Sequence, residues 1–215
     1  MVFDGFGKKA AAKMGVGIFL IFLLGGVLFL SEAAAATGVI YVKSDAVGEG
    51  NGTSWEDAYT QLHEAIEDAG PGDQIWIAYG TYVPTQLQEG SEDARTVHFH
   101  MKNNVEIYGG FAGNEDPATF DLADRDFAAN ETVLSGDIQQ DDVAGNAASM
   151  ADNAYHVFYH ADNPFTGNLD ETAVLDGVTI SGGNANDPDY HSHGGGRFND
   201  NNHPTVRNVT FKNNR

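Results

Sequence analysis

Apolar and polar residues alternate in short runs along most of this chain, and one run recurs. Val105-Glu106-Ile107-Tyr108-Gly109-Gly110 aligns with Val178-Thr179-Ile180-Ser181-Gly182-Gly183 and again with Val209-Thr210-Phe211-Lys212-Asn213-Asn214. Each copy reads apolar, polar, apolar, polar, then two residues that tolerate a turn. At period two, the Val and Ile or Phe side chains share one face and the polar ones the other. So short a strand cannot bury its apolar face alone, so each copy is expected to stack on the next. Val133-Leu134-Ser135-Gly136 echoes Val174-Leu175-Asp176-Gly177 in the same way. The pattern predicts an all-β, stacked-strand solenoid.

Further strands are expected at Val39–Val42, Ile75–Tyr79, Val97–Met101, Thr132–Ser135 and Tyr155–Tyr159. One helix is expected, from about Trp55 to Ala69. Trp55, Ala58, Tyr59, Leu62, Ala65, Ile66 and Ala69 form an apolar stripe at helical spacing. Ser54, with Asp57 three residues on, reads as a weak capping box, while Gly70 and Pro71 read as the stop. Laid across the first coil, such a helix would cover its apolar end and strand edges. The segments Gly113–Asn130, Asp137–Ala154 and Asn184–His193 lack sustained periodicity and read as surface excursions. The last residues stop in mid-repeat, as expected for the front part of a longer protein.

The N-terminus has a different pattern. Lys8, Lys9 and Lys13 precede an apolar run from Met14 to Leu30, then Ser31-Glu32-Ala33-Ala34-Ala35-Ala36. A basic region, an apolar region and small residues before a cut describe a secretory signal, with cleavage expected after Ala36. An uncleaved anchor is the other reading of a run this long. The expected organisation is a signal over 1–36 and a β domain over 37–215, with a capping strand and helix at about 39–70 and coils at about 74–215.

Composition narrows the partners. The chain has 215 residues, no Cys, 26 Gly and a formal net charge of −20. Disulfides and thiolate metal sites are excluded. A surface this acidic repels nucleic acid and anionic lipid and favours cations, so membrane contact is expected only through the signal segment.

Asn51–Trp55, Pro71–Tyr82, Ile107–Phe111 and Thr132–Asp137 resemble the entry region of secreted bacterial right-handed parallel β-helix proteins of the pectate-lyase-like superfamily. Gly194-Gly195-Gly196 followed by Phe211-Lys212-Asn213-Asn214 is similar to the paired GG-x and F-x-x-N repeats of polymorphic outer-membrane proteins. The resemblance spans Val39 to Asn214. It implies a right-handed parallel β-helix at a bacterial cell surface, either a scaffold for adhesion or glycan binding through its lateral loops, or a polysaccharide lyase or glycoside hydrolase with its catalytic coil in those loops or beyond residue 215. The scaffold is the leading expectation, because one fold of this kind hosts many activities.

Candidate chemistry is sparse, and the sequence leaves the catalytic and metal residues unknown. His98 and His100 lie two apart, a spacing zinc can use; the plainer reading makes them the outward half of a strand whose Val97, Phe99 and Met101 face inward. His191 and His193 lie in a loop near Asp187 and Asp189, without the spacing of a closed site. Asp121, Asp124 and Asp126, and Asp137, Asp141 and Asp142, form two acidic groups open to calcium or to plain solvation. Arg95, Lys102, Arg125, Arg197, Arg207, Lys212 and Arg215 read as scattered, with Arg125 expected to pair locally with Asp124 and Asp126. Asp176 and Asp137 are the carboxylates with a chance of facing one groove, as a hydrolase requires. Asn201, Asn202, Asn213 and Asn214 read as turn residues.

Overall fold

The computed structural model describes residues 38–162, 167–188 and 191–215. The signal segment and Asp189 lie outside the described residues. Among the described residues eleven strands carry the fold: β1 (Val39–Val42), β2 (Gln74–Ala78), β3 (Gly80–Tyr82), β4 (Glu106–Phe111), β5 (Thr132–Ser135), β6 (Phe158–His160), β7 (Val174–Asp176), β8 (Thr179–Ser181), β9 (Arg197–Asn199), β10 (Thr205–Arg207) and β11 (Thr210–Lys212). They form sheets in the orders β1-β2-β4-β7-β10, β3-β5-β8-β11 and β6-β9. Every pairing between these strands is parallel. A parallel bridge from Phe99 to Phe158 extends the third sheet by one position. From β2 onward the chain visits the first sheet, the second and the third, then begins again, with β7, β8 and β9 repeating the cycle of β4, β5 and β6. The class is all-β with parallel sheets and little helix.

Alternation divides each strand as predicted. On the inner side of the first sheet, Ile40, Ile75, Ile107 and Leu175 are paired in register, with Val206 at the end. In the second sheet Tyr82, Leu134, Ile180 and Phe211 are likewise in register. Phe99 and Phe158 supply the third side, their rings 5.6 Å apart. These residues, apart from Phe211 at the rim, belong to or pack against one apolar cluster. Their removal from water is the main stabilising force.

The repeats stack differently from the expectation. The copies at Val178 and Val209 do lie in register, Thr210 on Thr179 and Phe211 on Ile180. The copy at Val105 lies in the first sheet, where Ile107 pairs with Leu175. The Val133 and Val174 echo is divided between sheets in the same way. Strands of both sheets carry this sequence alternation, so similarity of pattern identifies a strand without identifying its sheet.

The helix is also shorter than its stripe: α1 covers Leu62–Asp68. Ser54 Oγ does accept from Asp57 N, at 3.0 Å, but it closes a turn and caps no helix. The reason lies in the edge of the first sheet. The segment before α1 supplies hydrogen bonds to β1, with Tyr41 N donating to Gly52 O, Tyr59 N to Tyr41 O and Lys43 N to Tyr59 O. Residues whose peptide groups serve an outer strand cannot also form helical bonds, and an unpaired buried edge is costly. Leu62, Ala65, Ile66 and Ala69 still enter the core, and Glu64, Glu67 and Asp68 remain exposed.

Two smaller departures follow the same logic. Val97–Met101 forms a single bridge at Phe99, although Val97, Phe99 and Met101 are buried as expected. The strand β9 had no counterpart in the sequence reading, since Arg197-Phe198-Asn199 has polar residues where an apolar face was sought. At the corners after strands, Gly177, Asn208 and Asn213 adopt positive φ of 79°, 49° and 54°. Asn201 does so too, at 54°, as expected of a turn asparagine. Asn202 and Asn214 instead use their side chains, bonding the backbone of the neighbouring pass at His160 O and Ile180 O.

Candidate functional site

The outward positions of the first sheet form a second ladder: Tyr41, Trp76, Tyr108, Asp176 and Arg207 in register. The aromatic part does not face water. The segment expected to be a free excursion, Gly113–Asn130, packs over it. Phe120 lies 5.7 Å from Phe111 and 6.1 Å from Trp76, and Trp76 stacks on Phe111 at 4.5 Å. Trp55 Nε1 donates to Glu115 O at 3.0 Å, and the Glu115 carboxylate accepts from the amides of Ala112, Gly113 and Asn114.

The same segment delivers Arg125 to the end of the ladder. Its guanidinium lies 3.4 Å from the Asp176 carboxylate, both side chains being nearly buried. Arg207 reaches the other carboxylate oxygen, Oδ2, at 3.4 Å, and Asn208 Nδ2 donates to Oδ1, on the Arg125 side, at 2.8 Å. Arg125 also donates to Leu122 O and Gly109 O and lies over the rings of Tyr108 and Phe127, at 4.9 and 5.0 Å. The expected local pairing of Arg125 with Asp124 and Asp126 is therefore corrected. A buried carboxylate outcompetes two solvated ones for a cation, because water already serves the exposed pair. Burial, and then Glu106 beside it, push the Tyr108 hydroxyl up to about 12.

Beside this network runs a groove of about 280 Å³, bordered by Phe127, Glu131, Thr179, Asn208 and Thr210. Phe127 is partly exposed, and its ring rests where a Cβ on Gly177 would lie 2.5 Å away. Glycine at 177 is thus required twice, for its positive φ and for the seat of this ring. At the groove's edge Glu131 accepts from Lys212 Nζ at 2.8 Å and from Thr179 Oγ1 at 2.8 Å. The bond from Lys212, and next the one from Thr179, hold the Glu131 carboxyl below its usual range. The cations thus converge, against the expectation of scatter: Arg125 and Arg207 on Asp176, and Lys212 on Glu131. Arg95 is likewise engaged, bonding Asn153 O and Asn184 O and lying 4.1 Å over the Tyr155 ring.

The other predicted residues separate. Asp137 accepts from the amides of Asp141 and Asp142, away from the partners of Asp176. Asp121 accepts from Ala123 N, and Asp126 from Ala128 N and Ala129 N. These carboxylates organise their own loops. Among the described residues no three His, Cys, Asp or Glu side chains converge to hold a metal ion.

His98, His100, His156, His160 and His191 gather at the third sheet. His98 is half-buried and His100 exposed, on the outward side as expected. The Tyr159 ring lies 5.5 Å from His98, 5.2 Å from His156 and 6.0 Å from His191. His191 turns toward His156, whereas His193 bonds its neighbour Ser192. Burial lowers His156 to about 4, helped by His191 and His98 but opposed by its bond to Gly194 O. The pairing of His156 with His191 was missed in the sequence because the two lie far apart in it; the Tyr155–Tyr159 strand pattern and the His191–His193 loop each flagged one half of it. Among the described residues no helix is long and apolar enough to cross a membrane. Searches against family models, curated proteins and solved structures find no match for this chain.

Proposed function

We propose that the three sheets are the sides of a right-handed parallel β-helix, exported and displayed at a bacterial cell surface, that binds glycan in the groove beside Phe127. Cyclic visiting of three parallel sheets, with a corner at each change, supports the fold. The basic and apolar N-terminal segment and the small residues before Thr37 support export. A half-exposed aromatic ring, two threonine hydroxyls and an asparagine amide around one groove supply the stacking face and hydrogen-bonding groups that sugars use.

The observation that carries binding over turnover is how the carboxylates are held. Asp176 lies between two guanidiniums and an amide, and Glu131 is kept ionised by Lys212 and Thr179. A glycosidase acid must carry a proton to the leaving oxygen, and neither group is built for that. The second reading, a polysaccharide lyase or hydrolase, draws on the cation–carboxylate pairs that lie beside this groove. Both are tested by incubating the full chain with pectin, alginate and neutral glycans, with and without calcium. Binding without product is expected, with Phe127→Ala weakening it at least about tenfold. Release of shortened chains supports the enzyme; absence of binding to every glycan overturns the proposal.

A further inference from the structure

The imidazoles around Tyr159 form a second site, independent of the groove. Two are oriented by main-chain carbonyls: His156 Nδ1 lies 3.1 Å from Gly194 O, and His98 Nδ1 lies 3.0 Å from Thr96 O. A carbonyl only accepts, so in each ring the proton sits on Nδ1 and the lone pair on Nε2. Metal-binding histidines are held in this way, with the far nitrogen donating to a carbonyl and the near one presented to the ion. The Nε2 of His156 is aimed at a third imidazole, His191, whose Nδ1 stands 2.9 Å away. Stacking on Tyr155, at 4.6 Å and 9°, keeps the His191 ring in place. Tyr155 is itself fixed, its hydroxyl donating to Asp93 Oδ2 at 3.0 Å.

We propose that His156 Nε2 and His191 Nδ1 form a two-imidazole site for a late first-row divalent ion such as Zn²⁺, Ni²⁺ or Cu²⁺. Neutral imidazole pairs suit these ions, whereas calcium and magnesium prefer oxygen. Two zinc-bound nitrogens with bonds of ~2.0–2.1 Å at a tetrahedral angle stand roughly 3.4 Å apart. The pair therefore needs to open by about half an ångström. The proton now shared on the His191 Nδ1 side moves to His191 Nε2, a change of tautomer with no change in charge. His98 stands across Tyr159 as a further imidazole with its lone pair on Nε2. Among the described residues no third His, Cys, Asp or Glu side chain closes on the pair.

The test is calorimetric titration of the full chain with ZnCl₂, and Co²⁺ titration followed by visible absorption. One ion per chain is expected, with His191→Ala and His156→Gln each weakening binding at least about tenfold. His63→Ala and His203→Ala, distant from this cluster, are expected to bind like the parent. The half-exposed His191 is removed without opening the core, so its variant remains informative if His156→Gln misfolds. Binding that survives unchanged in His191→Ala, or an absence of saturable binding in the parent, overturns the proposal.

Discussion

Two of the polar knots buried among the described residues solve the same problem in opposite ways. On the outer side of the first sheet, the Asp176 carboxylate is met by the guanidiniums of Arg125 and Arg207 and by the Asn208 amide. At the third sheet, His160 is 1% exposed and neutral. It accepts from Met101 N at Nε2, at 3.0 Å, and Nδ1 donates to Asn199 Oδ1, at 3.1 Å. Asn202 continues this second knot, accepting from Leu169 N and donating to His160 O. The charged knot required a cation brought from a separate segment, because a buried carboxylate without one is too costly. The neutral knot is built from amides and an imidazole that satisfy one another. Charge ties a distant loop to the sheet; neutrality ties adjacent passes to each other, at the cost of sensitivity to acid.

Breaking the charged knot is expected to have the largest effect. Asp176→Ala leaves the Arg125 guanidinium, 5% exposed, without its carboxylate. Removing one partner of a buried pair typically costs ~3–5 kcal/mol. Urea unfolding of the variant should show that loss, accompanied by easier proteolysis within Gly113–Asn130. A loss under ~1 kcal/mol would mean that the network is solvated and that the contrast with His160 is unfounded.

The difference between the knots also explains what the sequence disclosed. Strand identity was legible, because Val-x-Ile and Val-x-Phe alternation reflects burial directly. Strand partners were not: the Val105 copy and the Val178 copy look alike but lie in different sheets. The α1 stripe was legible at Leu62, Ala65 and Ile66, but the turn before it was not. The need of β1 for hydrogen bonds is a property of its neighbours, invisible in the stripe. Asp176 was singled out as a carboxylate of interest, yet its cations were not, since Arg125 lies far from it in sequence and beside two tempting aspartates. The histidine cluster was missed for a related reason: His98 and His100 drew notice by spacing and His191 by its loop, yet they meet His156 and His160 only when passes align.

Acid sharpens the comparison, with a somewhat smaller effect. Burial, and then His100, lower His160 to about 3, and burial first lowers His156 to about 4. The unfolded chain, with imidazoles near ~6.5, therefore binds more protons than the folded one between these limits. Stability is complete above that ordinary range and is lost as the pH falls through it toward the folded values. Between pH 7 and pH 4 the loss from His160 is expected on the order of 3 kcal/mol. Urea midpoints across that range provide the check, and His160→Gln should flatten the slope. A stability curve already flat in the parent would show that His160 titrates like an exposed imidazole.

The smallest effect belongs to the exposed counterpart of the Asp176 knot, the Glu131–Lys212 pair. Its separation is 2.8 Å, shorter than either guanidinium contact to Asp176, yet the side chains are 47% and 44% exposed. Distance alone would rank it first. Solvent decides otherwise, since water already stabilises both charges and ordering two long side chains costs entropy. A double-mutant cycle of Glu131→Gln and Lys212→Met should give a coupling of only ~0.2–1 kcal/mol, diminishing further in high salt. The Glu131 carboxyl lies below its usual range, so the contribution is present at neutral pH and disappears as the pH falls through its folded value. A coupling above ~2 kcal/mol would place this pair with the buried knot and remove the distinction. If the coupling is small, a weakening of glycan binding in Lys212→Met reports the groove itself, free of any change in the fold.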